Sequence, residues 1–290
     1  MTGKLTPGEI WKQTGYRIKF MMRTAYYYRP TLNMLGYLSQ RADFEQLLNA
    51  QVTLPSKPHR QYLTLGLTAN QRAAAIVDHY RYIDELPDPQ FARAFISTEE
   101  VILLRLTGKD MACFTLSASC AQKADREGET TLWLRDNEGL LLASLTFNVN
   151  QVKEGKRLII GGLQGPRRHV PHEVIKDATR TCHGLFPKRI LMEFIWLLAS
   201  RTSINAIYGV SNNGHVFRAL RYRLSKGRHF HASYDEFWES LGGVRVNKRL
   251  WLLPPQPERK PLESIPSKKR AEYRRRFQLL DSMAEQMKVY

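Results

Sequence analysis

The sequence predicts an α+β fold, with a helical N-terminal region followed by a mixed sheet and flanking helices. Three observations carry this. Residues 1–95 hold helix-spaced apolar and aromatic positions punctuated by prolines. Residues 99–163 switch to short β-branched and apolar runs joined by turn residues. Beyond 164, helix-like and strand-like stretches alternate. With 290 residues and 43% hydrophobic content, the chain can bury one large core or two smaller ones, which excludes a disordered protein. The composition divides it into a helical region at 1–95, an α/β core at 96–255 and a basic C-terminal helix at 256–290.

The elements follow in order. Residues 7–28 are periodic and aromatic-rich up to Arg29-Pro30, a second helix fits 31–50, and Pro55 and Pro58 mark a linker. Tyr26, Tyr27 and Tyr28 read as core and interface residues rather than a base-stacking platform. Asn70 is the expected cap of a third helix running to Glu85, ended by Pro87 and Pro89. Strands are expected at 100–107, 111–118, 130–136, 140–149 and 156–164, with turns at Asp136–Gly139 and Lys153–Lys156. The short connections make this an antiparallel meander. A short helix at 171–182, an apolar helix at 187–200 and a strand at 204–211 come next. Asn212 or Asn213 carries helix-start chemistry. Ser233 and Glu236 form a capping-box pattern before a helix stopped at Gly242-Gly243. A last strand lies at 244–254, and a basic helix begins at 268.

Charge is uneven. Against a formal net of +17, residues 1–41 carry +6, 42–150 carry −4, 151–189 carry +6, 190–244 carry +2 and 245–290 carry +7. Such asymmetry points to an anionic partner: a phosphate-bearing cofactor, an acidic lipid surface or nucleic acid. No standard nucleic-acid reader motif is present, which leaves nucleic acid the weakest of the three. Three cysteines without a CxxC pair exclude a disulfide framework or a zinc knuckle. Neither a signal-peptide pattern nor a bilayer-length apolar run is visible, so a soluble cytoplasmic protein is expected. The tail helix (Tyr273, Phe277, Leu280 and Met283 or Met287 on one face, Lys and Arg on the other) is expected to dock on the domain or to lie against the inner membrane surface.

This order of elements resembles the GNAT acyltransferase core. There a strand splays from its parallel neighbour, and a loop with a helix N-terminus holds the pyrophosphate of acyl-CoA. IIGGLQGPRRH would supply the splayed strand and loop, and IYGVSNNG the next strand. The chain carries GLQGP in place of the compact Q/R-x-x-G-x-G/A of that fold family. GLQGP at 162–166, YGVSNNGHVFR at 208–218, SYDEFWESLGG at 233–243 and KKRAEYRRRFQLLD at 268–281 together resemble the VirK/YbjX family of Gram-negative bacteria. That resemblance implies a role in virulence, envelope stress and resistance to cationic antimicrobial peptides, and names no catalytic residue.

Candidate residues follow from the two resemblances and from side-chain chemistry. His215, at the corner after a strand, can take a proton from an acceptor amine. The bland alternative is a helix-cap histidine. Asp235 and Glu236 are adjacent carboxylates able to act as acid and base, and their first-turn position equally suits helix capping. Gln164, Gly165, Arg167, Arg168 and His169 offer close backbone approach and paired guanidiniums to a phosphate, here that of acyl-CoA. Arg218, Arg221, Arg223, Lys226 and Arg228 would extend that site. Ser211 and Asn212 can orient a ligand carbonyl, or serve as turn residues. His169, His172, His183, His229, His231 and Cys182 match no metal signature, and Cys182 lacks a local base. Three functions are therefore carried forward. The first is N-acyl or aminoacyl transfer to an amine, the second a non-catalytic membrane- or partner-binding protein on the same scaffold, and the third nucleic-acid binding.

Overall fold

The computed structural model describes residues 8–167, 169–219, 234–257 and 259–287. Its N-terminal part holds α1 (Thr14–Tyr26), α2 (Tyr28–Leu38), α3 (Phe44–Ala50), α4 (Ala69–Asp84) and α5 (Pro89–Ile96). The expected helix at 31–50 is thus two helices. The first break comes at Tyr27, not at Pro30, because a proline in a first turn forfeits only an N–H that has no helical partner anyway. Thr68, rather than Asn70, caps α4: its hydroxyl accepts from Gln71 N while the Gln71 side chain accepts from Thr68 N. Pro89 does not follow a helix but starts one, behind an Asp88 cap.

Eight strands then form one sheet: β1 (Val101–Thr107), β2 (Cys113–Cys120), β3 (Thr130–Arg135), β4 (Leu141–Val152), β5 (Gly155–Gln164), β6 (Ile204–Val210), β7 (Val244–Arg245) and β8 (Leu250–Leu253). Their spatial order is β1-β2-β3-β4-β5-β6-β8-β7. The first five strands are the expected antiparallel meander. β5 and β6 are parallel, joined through α6 (His172–Thr181) and α7 (Pro187–Arg201). The expected last strand is instead a hairpin: Asn247 accepts from the backbone N–H groups of Arg249 and Leu250 and folds β7 back on β8. Between β6 and that hairpin lies α8 (Tyr234–Ser240), and α9 (Ser267–Gln286) closes the described chain.

Alternation in the meander gives the sheet two unlike faces. Leu116, Ala118, Leu132, Leu134, Leu145 and Leu163 point to one face and are fully buried. α4, α5 and α7 cover that face, with Phe91 of α5 stacked on Phe194 of α7 and Phe95 edge-on to Phe147 of β4. One continuous apolar core therefore runs from α2 to α9. A polar cluster joins the N-terminal helices to it. Glu129 accepts from Lys57 Nζ at 2.7 Å, Tyr62 OH at 2.7 Å, Gln51 Nε2 at 3.0 Å and Tyr80 OH at 3.0 Å, all fully enclosed. Burial and the Glu129 charge push both phenols well above their ordinary value, so both remain donors.

The tail helix docks on the domain. Leu279, Leu280 and Met283 are buried, and the Gln286 amide donates to Arg105 O and accepts from Arg105 N at the outer strand β1. It thereby stands in for one residue of a neighbouring strand at the sheet's edge, where the Gln90 amide also donates to Ile102 O.

Candidate functional site

The other face of the meander is polar. Cross-strand register sets Ser119, Thr131, Thr146 and Gly162 in one row, and Ser117, Trp133, Ser144 and Gln164 in the next. Thr131 and Thr146 share a hydroxyl hydrogen bond of 2.9 Å, and Trp133 Nε1 donates to Ser119 Oγ at 2.9 Å. At the border, Glu100 accepts from Ser117 Oγ and forms a two-pronged pair with Arg135 at 2.8 and 2.5 Å. All of these but Ser117 line a groove of about 760 Å³, together with Lys123, Glu127, Gly165, Arg167 and His169. A sheet face built from small hydroxyls and one indole has no apolar surface demanding a helix cover, and it offers donors and acceptors to a polar ligand.

At one end of the groove, β5 and β6 part. They pair only as far as Ile160 and Gly209, after which Gly161–Gln164 stays with β4 while β6 follows β8. The β2–β3 connection folds into the opening. A Cβ on Gly161 would overlap the Glu127 carbonyl oxygen, and one on Gly162 its carboxylate, so only glycines admit this approach. The Glu127 carboxylate accepts from His215 Nε2 at 3.0 Å and from Gln164 Nε2 at 3.3–3.4 Å, with Glu127 and His215 each 1% exposed. His215 Nδ1 accepts from Phe217 N, which fixes the ring proton on Nε2, where it points at Glu127. The imidazole also lies nearly parallel to the Tyr234 ring, 5.4 Å away, and Tyr234 OH accepts from Leu163 N.

His215 therefore does cap a short 3₁₀ turn (Val216–Arg218), taking the place expected of Asn212 or Asn213, and it also backs a carboxylate. Glu127 is the residue that sequence reasoning missed. It lies in a motif-free connection 88 residues upstream of its partner. Trp133 and the serine and threonine rows were missed too, although their period-two alternation is visible in LSAS, TLWLR and SLT.

Asp235, Ser211 and Asn212 come together in a brace beside Tyr234, the ring stacked on His215. Asp235 accepts from Asn212 N and Trp251 Nε1, both at 3.0 Å, and from Arg245 at 2.7 Å. Asn212 Oδ1 accepts from Tyr234 N, and Ser211 Oγ donates to Lys248 O while accepting from Gly214 N. The three hold the 211–214 turn against α8 and the β7–β8 hairpin. Glu236, on α8, is exposed. Tyr234 N takes Asn212 as its acceptor; the expected Ser233 cap lies outside the described residues, as do Arg168, Arg221, Arg223, Lys226, Arg228, His229 and His231. Gln164, Gly165, Arg167 and His169 all reach the groove, whereas Arg218 is exposed. Cys182 is buried, and burial pushes its thiol up to about 12, which disfavours a nucleophilic thiolate. Among the described residues no cluster of His, Cys, Asp and Glu is arranged to hold a metal. None of the described helices is long and apolar enough to cross a membrane.

A family model described as a protein of unknown function (DUF535) matches residues 9–289. The uncharacterized protein YbjX of Escherichia coli K12 is 39% identical over 285 residues, covering 98% of this chain and 86% of its own. An uncharacterized protein of Haemophilus influenzae is 27% identical over 94% of this chain and 89% of its own. A Mannheimia haemolytica protein named membrane protein LapB is 23% identical over 68% of this chain and 83% of its own.

Proposed function

The chain belongs to the VirK/YbjX (DUF535) family, and we propose that it transfers an acyl or aminoacyl group to an amine bound in the polar groove. The observation that carries this reading is the Glu127 carboxylate, set at the groove's end where two parallel strands part and oriented by His215 and Gln164. An antiparallel meander that leads into a parallel pair joined by a helical crossover supports a GNAT-like reading of the sheet. Glu127 Oε accepts the proton of the attacking amine as the new C–N bond forms. The ester bond of the activated donor breaks, and its leaving group departs with a proton from solvent. His215 keeps the carboxylate in place, and Arg167 and Lys123 meet the donor's anionic part.

Acyl-CoA in the strand opening itself does not fit the residues present. Glu127, His215 and Tyr234 fill that opening, and Leu163 N–H, the backbone donor a ligand would seek, already bonds to Tyr234. The donor is therefore an ester lying along the groove, outside that opening. The same filled opening favours a second reading, a non-catalytic binding protein on this scaffold. The membrane-protein name of the M. haemolytica relative is in keeping with it.

The test is calorimetry and product mass analysis with an aminoacyl-tRNA as the ester donor and a simple amine acceptor, with acetyl-CoA and a long-chain acyl-CoA as thioester comparisons. The transferase reading expects saturable binding weakened in Arg167→Ala, and turnover lowered by about 10²–10⁴ in Glu127→Gln. Binding without turnover selects the second reading, and no binding by any donor removes the first.

A further inference from the structure

Helix α1 is amphipathic, and it is mounted with its apolar stripe facing outward. Ile18, Met21, Met22, Ala25 and Tyr26 follow the i, i+3, i+4, i+7, i+8 spacing of a single helix face, and all five are exposed, Met22 at 69% and Tyr26 at 81%. The stripe continues past the Tyr27 break into Tyr28 and Leu32, at 60% and 43%. The inner side of the same helix is well anchored. Phe20 is buried edge-on to Trp11 and beside His59, and Tyr16 OH bonds Ser56 Oγ at 2.9 Å. The outward stripe is thus held in position by a packed inner face, and it is a contiguous apolar surface of the kind that marks a contact site.

Its surroundings identify the occupant. Arg17 and Lys19 flank the stripe on either side, with Arg23 and Arg29 nearby. From Ile10 to Arg41 the chain holds no acidic residue, and Glu9 is already paired with Lys12. A two-fold contact with a second copy would set these like charges against one another. A surface of anionic headgroups over acyl chains satisfies both the cations and the apolar side chains, and tyrosines suit the boundary between them. We propose that α1, with the start of α2, is the element that lays this protein on an anionic lipid surface. The tail helix is not suited to the part, because its apolar side is buried against the sheet edge and α7.

Co-sedimentation of the full chain tests this with vesicles of phosphatidylcholine alone and with about one third phosphatidylglycerol. The wild type is expected to pellet with the anionic vesicles in a salt-sensitive manner. Ile18→Glu/Met22→Glu should weaken partitioning by at least ~10-fold at an unchanged melting temperature, since exposed substitutions of this kind barely alter stability. Arg274→Glu/Arg275→Glu on the tail should retain binding. Equal pelleting of the α1 variant, loss of binding in the tail variant alone, or no binding by the wild type would each overturn the proposal. So would a wild-type dimer in sedimentation velocity that the α1 variant dissolves, which would assign the stripe to a second copy.

Discussion

Glu127 and Glu129 are two residues apart in one connection, and each carboxylate is turned to a different side of the sheet. Glu129 faces the N-terminal helices, enclosed with a lysine ammonium and three neutral donors. Glu127 borders the groove, held by an imidazole nitrogen of His215 and the amide of Gln164. The first carboxylate is neutralised and sealed, which suits a joint between layers. The second lines an open cavity, held by a histidine and an amide. A buried carboxylate does not by itself mark a functional site; its partners and its place beside a cavity decide the matter.

The largest effect expected from breaking this contrast is on the sealed side. Lys57→Met leaves Glu129 uncompensated in the interior and should cost about 3–5 kcal/mol in urea unfolding. Glu127→Gln keeps the shape of its site and should cost no more than about 1 kcal/mol. Equal costs would show that the two carboxylates do the same structural work. Next is Gly161→Ala, whose methyl would collide with the Glu127 carbonyl and drive the connection out of the strand opening. Overpacking of this sort costs about 1–3 kcal/mol, and it should disturb groove ligands more than Lys57→Met does.

These contrasts were unequally legible in the sequence. The meander, its turns and the crossover followed from alternation, Gly-bearing turns and a helix-length apolar run, all of which are local. The helix break at Tyr27 and the β7–β8 hairpin were hidden because each depends on a single residue, Tyr27 or Asn247, whose role is set by its surroundings. His215 was visible as a histidine after a strand. Its partner was not, since Glu127 is brought to it only when β5 presents two adjacent glycines on which the connection can lie. Asp235 looked catalytic because it was adjacent to Glu236, but adjacent helix residues point in different directions. Trp251 and Arg245, 16 and 10 residues downstream, instead give it its partners.

A pH series sharpens the sealed side. His79 Nδ1 accepts from Val149 N, its Nε2 pairs with Thr130 Oγ1, and burial and the nearby Lys57 charge push it down to about 3 from 6.5. The unfolded chain therefore takes up a proton near pH 6.5 that the folded chain refuses until about pH 3. Stability is full above 6.5 and falls by about 1.4 kcal/mol per pH unit below it from this group alone. His59, pushed down to about 4 by burial and three arginines, adds a second proton over the upper part of that window. Denaturation curves at pH 7 and 5 should show this slope, and His79→Gln should remove one proton from it. An unchanged slope would mean that the site admits charge.

The smallest effect is expected at the sheet edge, where Gln286 completes β1 with two hydrogen bonds to Arg105. Both bonds are exposed to water, so Gln286→Ala should cost only about 1 kcal/mol. The kinetic consequence is the more informative one. With the amide gone, Arg105 presents a free N–H and C=O on an outer strand, and α9 loses one of the contacts at its C-terminal end, where Arg201 still donates to Ala284 O. Hydrogen exchange should accelerate at Arg105 while β3 and β4 stay protected, because opening would be local to the edge. Uniform acceleration across the meander would instead make α9 part of the cooperative core that its buried Leu279, Leu280 and Met283 already join.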